Sequence, residues 1–154
     1  MNLKIKFNLV LGLAGLLGIG CSALFSQHLL QRIAREEVLD TARVLMTSAI
    51  AIRSYTAEEI KPLLMAQQQQ EKKFLPQTVP AYSAHRFVAQ LQKKLPDYTY
   101  KEATLNPTNP ADRAQTWEAE IVDWFKSNDA EKEFVGERDS IAGHVLYLSH
   151  PIKI

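Results

Sequence analysis

The sequence carries a single thiol, Cys21, among 154 residues. One thiol closes no internal disulfide, and it leaves no cysteine-pair zinc site and no Cys-x-x-Cys-His haem attachment motif. Gly-rich phosphate loops are missing, as are His-x-x-x-His and His-Glu-x-x-His spacings. Nothing resembles a nucleophile with a base and an orienting acid. Charge of one sign is not in excess: 18 Lys and Arg against 17 Asp and Glu leave +1. That balance argues for no nucleic-acid partner and no strongly acidic one. Between Gln27 and Ile60 there is neither proline nor glycine. What remains is ordinary globular composition, with 46% hydrophobic and 23% charged residues, which excludes disorder of the whole chain.

One stretch lacks charge altogether. Phe7 to Phe25 is an uncharged run of 19 residues. At 1.5 Å per residue it spans roughly 29 Å, close to the hydrocarbon core of a bilayer. Lys4 and Lys6 precede it, which places the N-terminus inside and the rest of the chain outside. Arg32, Arg35 and Arg43 follow it and pull the other way, although a long downstream domain translocates regardless of its charge. Three readings compete here: an uncleaved anchor, a cleaved signal peptide with Ser22-Ala23 near its cleavage site, and lipidation at Cys21 in Gly18-Ile19-Gly20-Cys21. The length of the apolar run favours the anchor. Gly12, Gly15, Gly18 and Gly20 would let two spans approach closely, and are equally ordinary glycines of a membrane helix.

The segment from Gln27 to Ile60 reads as helix. Leu30, Ile33, Val38, Ala42, Leu45, Ala49 and Ile52 recur every three to five residues, while Arg32, Arg35, Glu36, Asp40 and Arg43 mostly take the other faces. Pro62 marks the expected end of the regular helix. Span and helix together form one rod, whose apolar stripe faces either a second copy, as a homodimer through the long helix, or its own domain. Gln67 to Gln70 is a solvated polar run.

Beyond it the pattern turns mixed. Phe74 to Tyr82, with Pro76 and Pro80, reads as an extended connector. Ala84 to Leu95 reads as a short helix with Phe87, Leu91 and Leu95 on one face, ended by Pro96-Asp97. Tyr98 to Thr104 alternates aromatic and polar residues and reads as a strand. Asn106-Pro107-Thr108-Asn109-Pro110 is a rigid loop expected to brace that strand. Asp112 to Phe125 reads as a second helix, with Trp117 and Phe125 eight residues apart on the face that meets a sheet. Lys132 to Arg138 and Gly143 to His150 read as two strands joined through Asp139-Ser140. The fold class is α+β: an N-terminal transmembrane helix (1–26), a long membrane-proximal helix (27–64), and a domain over 65–154 with a small antiparallel sheet. Leu146, Leu148 and Ile152 alternate up to the last residue, Ile154, so the domain is expected to continue in its relatives and to be incomplete here.

Several of these segments resemble one family. Ala51-Ile52-Arg53-Ser54-Tyr55-Thr56 with Glu59-Ile60-Lys61-Pro62-Leu63 is one. Phe74-Leu75-Pro76-Gln77-Thr78-Val79-Pro80-Ala81-Tyr82 is another. The most specific runs from Tyr98-Thr99-Tyr100-Lys101-Glu102 through Ala103-Thr104-Leu105 to the Asn106–Pro110 loop, with Trp117-Glu118 behind it. Together they resemble the Tll0287-like domain, common in cyanobacteria, over about Gln27 to the C-terminus. The resemblance implies a PAS-like fold and, in many members, a c-type haem. It also implies either a lone exported protein or the extracytoplasmic sensor of histidine kinases and nucleotide cyclases. The family's haem motif normally follows the strand matching Leu146 to Ile154, and the present sequence stops before it. Covalent haem is therefore not carried over.

Of the remaining chemistry-bearing side chains, His28, His85, His144 and His150 are dispersed and read as surface or strand-end residues. Met46 reads as core rather than as an iron ligand. Glu58-Glu59 and Asp129 with Glu131 read as solvated charges. No catalytic, cofactor-binding or metal-binding residue is assigned, no enzyme activity is expected, and the partners expected are membrane lipid, a second copy and an unknown ligand. The function expected is a membrane-anchored sensory or ligand-binding module. The alternative is a truncated member of a c-type haem redox family that has lost its attachment site.

Overall fold

The computed structural model describes residues 2–141 and 143–152. The strand end expected at Ile154 lies outside the described residues. Two compact units divide the chain, one ending at Thr41 and one running from Ala42 to Ile154. The architecture is α+β, with four α-helices and a two-stranded sheet among the described residues.

Helix α1 runs from Leu3 to Tyr55, 53 residues without a break. Straight-chain and small residues dominate it, and no proline interrupts it. In the first unit residues 2–38 are exposed on every face. The apolar stripe read from the sequence divides accordingly. Leu30, Ile33 and Val38 are 63%, 54% and 43% exposed. Ala49 is fully buried, and Ala42, Leu45 and Ile52 are half-buried.

The helical path does not stop at Pro62. Regular α-helix ends earlier, at Tyr55, and a π-helical turn follows over Thr56–Ile60. The Lys61 amide donates to the Thr56 carbonyl, closing a ring one residue wider than in an α-helix. Ile60 and Lys61 keep right-handed helical angles, so the helix passes through that wider turn into α2 (Lys61–Glu71), with Pro62 directly beyond it. Helix α2 ends on Lys72 in the left-handed conformation, φ 49°. Gln67 donates to Glu71 across one turn of α2 at 2.8 Å.

The connector is shorter than expected. A 3-10 turn occupies Pro76–Thr78, and α3 begins at Pro80 and runs to Leu91. Pro80 starts the helix because its fixed φ suits the first helical position. Ala84 and Val88, one turn apart, form the core with Ala49 of α1, and Phe87 and Tyr100 pack against it. Small residues on both helices leave no large side chain fully buried.

The strand expected over Tyr98–Thr104 is absent. Its backbone makes one isolated parallel bridge, Thr104 to Arg113, with Thr104 N–H donating to Asp112 O at 2.9 Å and Ala114 N–H to Thr104 O at 3.0 Å. Alternation places side chains without supplying a neighbouring strand, and ladder formation needs both. The Asn106–Pro110 loop ends in a 3-10 turn, Pro110–Asp112, where the Asn109 side chain accepts from Ala111 N at 3.2 Å. Helix α4 therefore starts later than expected, at Thr116, and runs to Ser127. Its start is set by a capping box in which Gln115 and Glu118 satisfy each other's backbone amides.

Strands β1 (Phe134–Ser140) and β2 (Gly143–Ser149) pair antiparallel, Phe134 opposite Ser149 and Gly136 opposite Tyr147. Asp139 and Ser140, expected as the connection, belong to β1. Trp117 of α4 meets Tyr147 of β2 at 5.1 Å between ring centroids. The second ring on the sheet is Trp124, 4.8 Å from Phe134, while Phe125 turns edge-on to Trp124. The spacing of seven from Trp117 to Trp124 faces the sheet more closely than the expected spacing of eight.

Candidate functional site

Four segments of the second unit converge on a polar network around Glu102. Alternation in the 98–104 segment turns Tyr100 and Glu102 to the same side. Arg53, on the last turn of α1, pairs with one oxygen of Glu102, both side chains being less than a fifth exposed. The Tyr100 hydroxyl donates to the other oxygen at 3.0 Å. Burial, followed by the charge of Glu102 and its hydrogen bond, holds the Tyr100 hydroxyl far above its ordinary value. It therefore stays protonated and acts as a donor. With both oxygens engaged, Glu102 has a structural geometry and not that of a free general base.

His85 lies against the same aromatic ring, edge-on to Tyr100 at 5.6 Å. Its Nε2 is buried and makes no hydrogen bond. The nearest carboxylate oxygen, from Asp112, is 3.6 Å away, an ionic distance only if the imidazole is charged. Asn109 donates to the other Asp112 oxygen at 3.1 Å. So the rigid loop expected from its prolines and asparagines does position a side chain: Asp112, 9% exposed.

Two flanking clusters tie the sheet and α4 down. Lys101 points the opposite way from Tyr100 and bridges Glu118 at 2.6 Å and the Arg113 carbonyl at 2.7 Å. At the open end of the hairpin Arg43 grips Glu133 through two nitrogens, and His150 reaches the same carboxylate at 3.3 Å. The hydrogen bonds from Arg43 hold the Glu133 carboxyl below its ordinary value.

The four histidines are not brought together. His28 lies exposed on α1 in the first unit, His85 beside Tyr100, and His150 at Glu133. His144, at the hairpin tip, is flanked by Asp139 at 2.9 Å and Glu137 at 3.0 Å. Met46 is half-buried on α1, and Glu58, Glu59, Asp129 and Glu131 are exposed. Among the described residues no group of three or more His, Cys, Asp and Glu is arranged to hold a metal ion. A shallow open groove at the end of α2, lined by Met65, Gln68, Gln69, Lys72, Lys73 and Phe74, shares no residue with the Glu102 network.

The donor set does not fit a covalently attached haem. Two thioether bonds need two thiols, and Cys21, the only thiol in the sequence, lies exposed on α1 within the apolar run.

The Arg53–Glu102–Tyr100 network was not assigned from the sequence as a site. Its signals were present but weak: an arginine directly after Ile52 in an apolar stripe, and a tyrosine and a glutamate two apart in an alternating segment.

A family model described as Tll0287-like: Tll0287 matches residues 31–154. No curated protein and no solved structure matches the chain.

Proposed function

The chain belongs to the Tll0287-like family, and from that premise we propose that it is a membrane-anchored, non-catalytic sensory or ligand-binding module whose second unit lies outside the cytoplasm. One observation carries this reading. A single α-helix, Leu3–Tyr55, contains both the apolar run and Ala49, a core residue of the folded unit. A helix that begins in lipid and ends in a domain core transmits displacement along its axis, since its backbone hydrogen bonds resist compression. Among the described residues, one helix is long and apolar enough to cross a membrane. Lys4 and Lys6 ahead of it support an inside N-terminus. The Glu102 network offers no free general base, because its polar groups are spent on one another.

The test uses the full chain in intact cells and spheroplasts. The protein is expected to resist a high-salt wash and to require detergent. Protease added to spheroplasts is expected to remove the second unit and spare an N-terminal tag. In detergent, a thermal-shift screen of small metabolites is expected to find a ligand that raises Tm; binding at a hundred times Kd stabilises by about 2.7 kcal/mol. Recovery as a soluble protein with a new N-terminus near residue 26 would overturn the anchor. A haem-stained band surviving denaturation would restore the redox alternative.

A further inference from the structure

We propose that the membrane-proximal part of α1 is an interface with a second copy of this chain, packed parallel and in register through Leu29 and Ile33. The proposal rests on the membrane-anchor reading above for the parallel orientation.

Leu29 and Ile33 are 45% and 54% exposed, and they share a face of α1 with Ser22 and Ser26 at spacings of four, three and four. Lipid covers the run that ends at Phe25. Ile33 lies eight residues further on, about 12 Å along the axis, beyond the roughly 5–7 Å of each interfacial layer. Its exposed apolar surface therefore stands in water. Residues 26–38 are exposed on all faces, and a helix of that length without a packed face is marginal in water. A copy anchored in the same membrane presents the same face at the same height, so the surface is self-complementary by symmetry.

The flanking charges select the partner and its direction. Arg32 sits on one side of the Leu29–Ile33 line and Glu37, five residues later, on the other. In a parallel pair in register those flanking positions face each other, so Arg32 meets the partner's Glu37, and Glu37 meets the partner's Arg32. An antiparallel pair would bring like flanks together. One turn nearer the membrane the same geometry sets Phe25, 72% exposed, against the partner's Leu30, 63% exposed on its own copy. Glu36 and Asp40 take the next two positions of the line and end the apolar contact after Ile33.

Disulfide trapping in the full chain tests this, with C21S as background so that the native thiol does not contribute. Leu29→Cys and Ile33→Cys are each compared with Gln31→Cys on the opposite face, under mild oxidation of the cell fraction that holds the protein. Cross-linking at the two seam positions is expected to be at least about tenfold faster than at position 31. Arg32→Glu should lower the dimer fraction, and adding Glu37→Arg should restore it. Equal rates at all three positions, or no recovery in the charge exchange, overturns the dimer. The fraction in which the chain is found reports on the anchor separately.

Discussion

The two units spend their apolar residues in opposite ways. In the first, Leu13, Leu16, Leu17 and Ile19 are 58–71% exposed, with no cover among the described residues, and only Leu39 near its end is buried. In the second, the core is Ala49, Ala84 and Val88 with Ile121 on α4, and no large side chain is fully buried. A leucine of the apolar run in the first unit suits the hydrocarbon of a bilayer, by the length and composition of its helix. An alanine in the second is matched to a neighbour, because only a small side chain lets α1 and α3 approach. Hydrophobicity alone therefore says little about burial within this protein. The second unit compensates for its small core with half-buried aromatic contacts and charge-assisted hydrogen bonds between elements.

The largest effect separates the units directly. Leu16→Arg puts a charge at the middle of the apolar run, at a cost of about 2.5–3.5 kcal/mol for insertion, or about a hundredfold in partition. The variant should leave the alkali-resistant membrane fraction. Leu105→Arg, at a position 46% exposed in the second unit, should leave both fractionation and folding unchanged. If both variants fractionate alike, the contrast between the units is wrong.

Next is Trp117→Ala. Trp117 is half-buried, its ring against Tyr147, with the Arg138 guanidinium 4.4 Å from its centroid. Truncating a buried Trp costs about 3–5 kcal/mol, and partial exposure places this site toward the lower end. Thermal unfolding of the full chain in detergent, followed by near-ultraviolet circular dichroism, should show a clear fall in Tm. Leu63→Ala should show none, because that side chain is 74% exposed on α2.

Gly136→Ala should come third. A Cβ there would sit 2.2 Å from the Tyr147 hydroxyl and 2.4 Å from its ring carbon. Tyr147 is held between Trp117 and Phe134 and has little freedom to move. Overpacking of this kind costs about 1–3 kcal/mol. Gly15→Ala, where nothing lies within 4 Å, should leave Tm unchanged. Equal effects of the two would remove the claim that the hairpin is tightly packed at Gly136 while the apolar run at Gly15 is not.

The smallest effect is electrostatic. Hydrogen bonds to Asp139 and then to Glu137 raise the His144 pKa above its ordinary value. The cationic imidazole is the form favoured by folding. Its stabilisation is therefore complete below the ordinary histidine value of about 6.5 and is lost as pH rises through the higher folded value. Titration of the His144 ring protons by NMR should give a midpoint above the ordinary histidine value of about 6.5, and Asp139→Asn should lower it. A midpoint at the ordinary value would mean the hairpin tip does not hold the ring.

Much of this was legible in the sequence because it depends on local pattern. The apolar run is long enough to cross a bilayer. The absence of proline and glycine from Gln27 to Ile60 allows one uninterrupted helix. Two alternating segments near the C-terminus pair as a hairpin. The family resemblance was legible in irregular loops such as Asn106–Pro110.

Other features depended on partners distant in sequence. Tyr98–Thr104 has strand alternation but no strand beside it, so it remains an extended segment with its Tyr100 and Glu102 committed to α1. Pro62 would end an ordinary helix, yet here the helix continues past it behind the wider turn over Thr56–Ile60. Trp124 replaces Phe125 on the sheet because the capping box at Gln115 and Glu118 sets where α4 starts and hence which face it presents. By itself the sequence determined that the Gln27–Tyr55 segment is helical, which run suits lipid, and which thiol chemistry is excluded, since each follows from neighbours within a few residues, but not that helix continues over Lys61–Glu71. Only the tertiary structure decided that Arg53, Glu102, Tyr100, His85 and Asp112 meet. They come from four separate segments, and their contacts exist only once the Ala49, Ala84 and Val88 surfaces have closed.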